Sequence, residues 1–203
     1  MILGVDFDNT IVCYDQVFHA VAVERGLIPP GTAVSKNSVR DHLRRSGRED
    51  VWTEMQGYVY GARMTEARAF PGVEECLMHL AGRGVRLYII SHKTRTPYAG
   101  DSYDLHRSAF AWLEQEGFFD AGRLGLSRDQ VFFELGKQEK IRRIVSSGCT
   151  HFVDDLPDFL AERAFPASVR RLLFDPNHHC ADVQEFQRFA SWAEIEGALS
   201  REA

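Results

Sequence analysis

The stretch Ile2-Leu3-Gly4-Val5-Asp6-Phe7-Asp8-Asn9-Thr10 decides the fold of this chain. Ile2 to Val5 is a short apolar run suited to an interior strand, and Asn9-Thr10 supplies the turn chemistry that ends it. Asp6 and Asp8 therefore stand where a buried strand stops. In an open parallel sheet, ligands gather in the crevice beyond the carboxyl ends of the strands. Two crowded carboxylates are costly there unless a cation or a phosphoryl chemistry requires them. The pair marks a site.

Outward from this strand the pattern turns helical. Val17, Phe18, Val21 and Ala22 repeat at helical spacing until Gly26 and Pro29-Pro30, and residues 35–45 and 49–64 predict two further helices. Beyond Pro71-Gly72, a stripe of Val73, Leu77, Leu80 and Ala81 predicts a helix that Gly82 and Gly84 end. Strands and helices then alternate: strand 85–90 ending at Ser91, helix 105–116, strand 130–133, helix 138–146, strand 151–153 and strand 172–174. The segment from Asp182 reads as one or two amphipathic helices. Such alternation predicts an α/β fold, a doubly wound, three-layer parallel sheet covered on both faces. Residues 14–68 break the rhythm. They predict an α-helical cap inserted after the first strand, on a core of residues 1–13 and 69–203.

The 203-residue chain suits one domain with a modest insertion. A formal net charge of -5 gives no footprint for nucleic acid or an anionic membrane. No apolar stretch approaches the roughly 18 residues of a membrane span, and no basic region followed by an apolar block suggests a signal peptide. Cys13, Cys76, Cys149 and Cys180 are scattered, as reduced thiols of a cytoplasmic protein would be.

Four polar clusters lie at or just beyond the ends of predicted strands: Asp6/Asp8, Ser91, Lys137 and Asp154/Asp155. With these in order the chain resembles the haloacid dehalogenase superfamily of phosphohydrolases. Asp6-Phe7-Asp8-Asn9-Thr10 is similar to that family's first motif, Ile89-Ile90-Ser91 to its second, Gly136-Lys137 to its third, and Phe152-Val153-Asp154-Asp155 to its fourth. The resemblance implies a Rossmannoid core and a Mg²⁺-dependent phosphatase acting on a small-molecule phosphate ester: a nucleotide, a sugar phosphate or an organic acid phosphate. It implies Asp6 as nucleophile, forming an aspartyl-phosphate, and Asp8 as general acid and base. Asp6, the main-chain carbonyl of Asp8 and Asp155 would hold Mg²⁺, with Asp154 as a direct or supporting ligand. Ser91 and a lysine would bind the phosphoryl group, and Thr10 would fix the loop. By position just past Ser91, His92-Lys93-Thr94-Arg95 is expected at the rim of the site, in reach of substrate. Lys137 is preferred for the lysine because it leaves Ile141 and Ile144 free to pack the sheet; Lys140 is its rival. The acid at position 8 argues against dehalogenation, whereas a phosphomutase or a silent regulatory module of the same fold stays open.

Other features read more plainly. His178-His179-Cys180 lacks a second ligand cluster and is expected to be a solvated loop. Arg40, His42, Arg44 and Arg45 are expected on a solvated helix face, and Trp52, Tyr58 and Tyr60 in the core of the insertion.

Overall fold

The computed structural model describes residues 1–180 and 185–202. In chain order its elements are β1 (Ile2–Val5), β2 (Val12–Cys13), α1 (Asp15–Glu24), α2 (Lys36–Arg45), α3 (Glu49–Gly61), β3 (Arg68–Ala69) and α4 (Val73–Gly82). There follow β4 (Arg86–His92), α5 (Leu105–Gln115), β5 (Val131–Glu134), α6 (Lys137–Ser146), β6 (His151–Asp154), α7 (Pro157–Leu160), β7 (Arg170–Phe174), β8 (Gln187–Phe189) and α8 (Trp192–Leu199). The chain divides into two compact units. One comprises residues 1–12, 69–93 and 117–203, the other residues 13–68 and 94–116.

The first unit is built on a six-stranded sheet of order β5-β4-β1-β6-β7-β8. Every pairing is parallel. From β1 the chain winds outward through β4 and β5, then returns to β6 on the other side of β1 and winds on through β7 and β8. This reversal makes the carboxyl ends of β1, β4 and β6 the crevice where such sheets bind ligands. Helices cover both faces. Leu173 joins Ile141 and Ile144 of α6 and Phe159 of α7 in one core cluster, whereas its neighbour Phe174 packs on Trp192 of α8 with ring centroids 5.7 Å apart. Adjacent residues of a strand face opposite ways, so these contacts define two layers.

The central strand has no room for a side chain at Gly4. A Cβ there would lie 2.5 Å from the Phe152 ring on β6 and 3.0 Å from the Cys149 sulfur. Glycine lets that ring lie across the middle of the sheet.

The second unit is helical, with Val17, Phe18, Val21, Leu43, Trp52, Met55 and Val59 buried. Phe18 stacks near Trp52 at 5.0 Å and meets Tyr60 edge-on at 5.7 Å. Ser35 caps α2 by accepting from the N–H groups of Asn37 and Ser38.

Three features depart from the sequence reading. Residues 94–116, assigned there to the core, cluster with the helical unit. Trp112 of α5 donates its indole N–H to the Ala67 carbonyl at 3.0 Å, and Gln115 donates to the Thr65 carbonyl at 3.0 Å. Gly57 and Gly61 of α3 make the approach possible, since a Cβ on either would overlap Pro97 or the Tyr103 ring. Second, the segment beyond Asp182 is not all helical. Asp182 itself lies outside the described residues, and a short edge strand, β8, precedes α8. Third, β4 continues past Ile90 through Ser91 to His92.

Gly4→Ala should destabilise the protein by about 1–3 kcal/mol, the usual cost of overpacking a filled core. Urea unfolding should show this as a lower midpoint at unchanged slope. A midpoint equal to wild type would mean that Phe152 moves aside freely.

Candidate active site

The loop after β1 is folded by its own backbone. The Phe7 carbonyl accepts from the N–H groups of Ile11 and Val12, both at 3.0 Å, and the Asn9 N–H donates to the Val12 carbonyl at 3.0 Å. Asn9 adopts a left-handed φ of 59°, which asparagine tolerates better than most residues. Asp6 and Asp8 therefore leave the strand on a rigid turn. Thr10 is buried and donates its hydroxyl to Asp155 at 3.3 Å, tying this loop to the end of β6.

Asp6 is 5% exposed, Asp154 0% and Lys140 3%. The Lys140 ammonium donates to Asp6 Oδ1 and to Asp154 Oδ2, each at 2.6 Å. The second Asp154 oxygen accepts the Leu156 N–H at 3.0 Å, so both oxygens of that carboxylate have partners. Burial pushes the Asp6 carboxyl up to about 7; Lys140 pulls against that rise and the Asp154 charge adds to it. Burial alone would lower Lys140, but Asp154 and Asp6 outweigh it and hold the ammonium above its ordinary pKa. A lone lysine does not fully offset two buried carboxylates. A further cation has a place here.

The donor set suits one. Asp6, Asp154 and Asp155 each offer a carboxylate oxygen, all within 4.8 Å of one another. Hard oxygen donors of this kind match a small divalent ion that keeps some of its waters.

Asp8 lies beside this cluster. Both of its oxygens accept from the Lys93 ammonium, at 2.9 and 2.8 Å. Ser91 is buried on β4, next to β1 in the sheet. His92 turns outward and makes a 3.1 Å hydrogen bond through its ring to the Leu135 carbonyl.

The structure thus brings Asp6, Asp8, Thr10, Asp154 and Asp155 together and sets Ser91 on the adjoining strand. It does not bring Lys137. That side chain is half exposed and pairs with Glu162 at 3.3 Å. The preference for Lys137 is corrected by depth along α6. Lys137, Lys140, Ile141 and Ile144 share one helix stripe, but Lys137 is the first residue of the helix. Lys140 lies about 4.5 Å further along the axis. Only Lys140 reaches the aspartates. The sequence reading set Lys93 at the rim with His92, Thr94 and Arg95, as a substrate contact, and did not pair it with Asp8. The available clue was alternation: Ser91 inward, His92 outward and Lys93 inward continue the strand period past its predicted end. His178, His179 and Cys180 form a loop in which Asp175 accepts the N–H groups of His179 and Cys180.

No family model matches the sequence, and no curated protein matches it. Solved structures do match, over nearly the whole chain. A haloacid dehalogenase family hydrolase from Deinococcus radiodurans R1, solved with bound phosphate and sodium, is 16% identical with a TM-score of 0.59, covering 98% of this chain and 94% of its own. A predicted phosphoglycolate phosphatase from Haemophilus somnus 129PT is 15% identical with a TM-score of 0.56, covering 98% and 97%. A haloacid dehalogenase hydrolase of family IA, variant 3, from Entamoeba histolytica is 11% identical with a TM-score of 0.60, covering 95% and 94%. The fold of this chain is that of the haloacid dehalogenase superfamily hydrolases.

Lys140→Met should destabilise the protein by about 3–5 kcal/mol, because it leaves two buried carboxylates without their cation. Lys137→Ala should change stability by no more than about 0.5 kcal/mol, as an exposed side chain does. Parallel denaturant titrations check both, and equal effects would contradict the placement of the two lysines.

Proposed function

We propose that this chain is a Mg²⁺-dependent phosphatase of the haloacid dehalogenase superfamily that hydrolyses a small-molecule phosphate monoester. The observation that carries this reading is the group formed by Asp6, Asp154, Asp155 and Lys140, with Asp8 two residues beyond the nucleophile position. Such a concentration of buried charge is expensive for a fold alone, and phosphoryl transfer is a chemistry that uses it.

In this reading the Asp6 carboxylate attacks phosphorus in line. The bond from phosphorus to the leaving oxygen breaks, and its electron pair goes to that oxygen, which takes the proton carried by Asp8. The resulting Asp8 carboxylate then takes a proton from water, whose oxygen attacks the phosphorus of the aspartyl-phosphate. The acyl oxygen of Asp6 leaves, and inorganic phosphate departs. Asp6, Asp155 and the main-chain carbonyl of Asp8 would hold Mg²⁺, which would offset negative charge on nucleophile and phosphoryl oxygens. Asp154 serves the site through Lys140, since its second oxygen is already taken by the Leu156 N–H. Lys140 favours the ionised form of Asp6, aims it, and offsets phosphoryl charge. Ser91 donates its hydroxyl to a phosphoryl oxygen, and Thr10 braces the metal-binding loop through Asp155. The helical unit takes the role of a cap that selects the leaving group.

A phosphate-release screen over nucleotides, sugar phosphates and organic acid phosphates, with Mg²⁺ and with chelator, tests the proposal. Release is expected from at least one ester and should vanish with chelator. Asp6→Asn should reduce it to background, and wild-type turnover in that variant would remove Asp6 as nucleophile. Asp8→Asn should cost about 10²–10⁴-fold on an alkyl phosphate, the usual contribution of a general acid, and less on an aryl phosphate. Intramolecular phosphoryl transfer in place of release would make the protein a mutase.

A further inference from the structure

We propose that Lys93 is a positioning residue for the acid and base Asp8. This inference rests on the phosphatase reading above and adds to it a residue that none of the superfamily's four matched motifs contains. Four observations carry it. First, Lys93 is 4% exposed, far less than lysine ordinarily allows, and its ammonium spans both Asp8 oxygens. Second, its backbone is fixed: the Lys93 N–H donates to the Glu134 carbonyl at 2.8 Å, extending the β4–β5 pairing by one residue. Third, its ammonium lies over the Phe7 ring, 5.5 Å from the centroid, and Phe7 meets Phe133 edge-on at 5.3 Å. Fourth, the task of charge balance around Asp6 and Asp154 already belongs to Lys140. Lys93 is instead paired with Asp8, at 2.8 Å.

A carboxylate on a short side chain can turn about its last bond, and a proton donor must present one oxygen to the leaving group within hydrogen-bond reach. An ammonium has three N–H groups. Lys93 can therefore keep one Asp8 oxygen while the other turns to the substrate. It fixes the plane from which the proton leaves in the first half-reaction and to which the water proton returns in the second. Among the side chains of the site only Asp8 gains or loses a proton, giving it to the leaving oxygen and regaining it from the attacking water, and Lys93 stays an ammonium throughout.

The test is a pair of esters, p-nitrophenyl phosphate and an alkyl phosphate, assayed with Mg²⁺ on wild type, Lys93→Met, Asp8→Asn and the double variant. Lys93→Met is expected to slow the alkyl ester by about 10- to 100-fold, a share of the general-acid contribution, and the aryl ester by no more than about threefold. The double variant should be no slower than Asp8→Asn alone, because a residue that acts through Asp8 has nothing left to position. Equal losses on both esters, or losses that multiply in the double variant, overturn the inference and leave a structural ion pair. Should Lys93→Met not fold, Lys93→Arg keeps the charge while displacing the donors. It is then expected to show the same bias against the alkyl ester, and wild-type rates on both esters overturn the inference. Wild-type protein that hydrolyses neither ester, nor any ester of the screen, overturns the phosphatase reading and this inference with it; hydrolysis without leaving-group bias overturns this inference alone.

Discussion

Lys140 between Asp6 and Asp154 is the interaction on which the rest depends. Three segments far apart in sequence, the end of β1, the second turn of α6 and the end of β6, meet at one ammonium. Two carboxylates buried to this degree repel each other and lose their hydration, and either effect alone favours neutral acids over ions. The lysine works against that preference, though for Asp6 it offsets it only in part. Its position is fixed by aromatic packing as well as by charge: the ammonium lies 4.1 Å from the Phe159 ring centroid and 5.4 Å from that of Phe152. The same Phe152 excludes a side chain from position 4. Core packing and site geometry are thus one arrangement, in which a small residue on the central strand admits the ring that helps seat the cation.

The site separates its charges into two groups. Asp6, Asp154 and Lys140 are sealed from solvent, where a small error in position would be costly. Asp8 and Asp155 are only partly buried, and among their contacts are a Lys93 ammonium and a Thr10 hydroxyl from other segments, respectively. The division suits a reaction in which one carboxylate must not move and another must exchange protons. A nucleophile benefits from preorganisation, while an acid that becomes a base needs a path to water.

Much of this was legible in the sequence because strands announce their ends. Apolar runs closing on Asp6, Ser91 and Asp154 placed the crevice, and the helix–strand alternation placed the sheet. What stayed hidden depended on depth or on packing between distant segments. Lys137 and Lys140 share a helix stripe, so periodicity cannot rank them; only the axial level of the first turn against the sheet does. Lys93 lay beyond the apparent end of its strand, because His92 breaks the apolar run while leaving the inward alternation intact. For α5 the pattern showed a helix but not its neighbours. Its attachment to α3 depends on Gly57 and Gly61, whose meaning is visible only once Pro97 and Tyr103 lie against them. The edge strand β8 was concealed by its brevity and by the polar side chains of Gln187 and Arg188.

The partition of the chain has a consequence for how such a protein diversifies. The helical unit is not a single excursion from the sheet but two separate stretches, with the chain crossing the boundary after residues 12, 68, 93 and 116. Recombination that transplanted only the first stretch would deliver α1 to α3 without the tryptophan that anchors them to α5. An exchange that keeps this packing has to carry both stretches together.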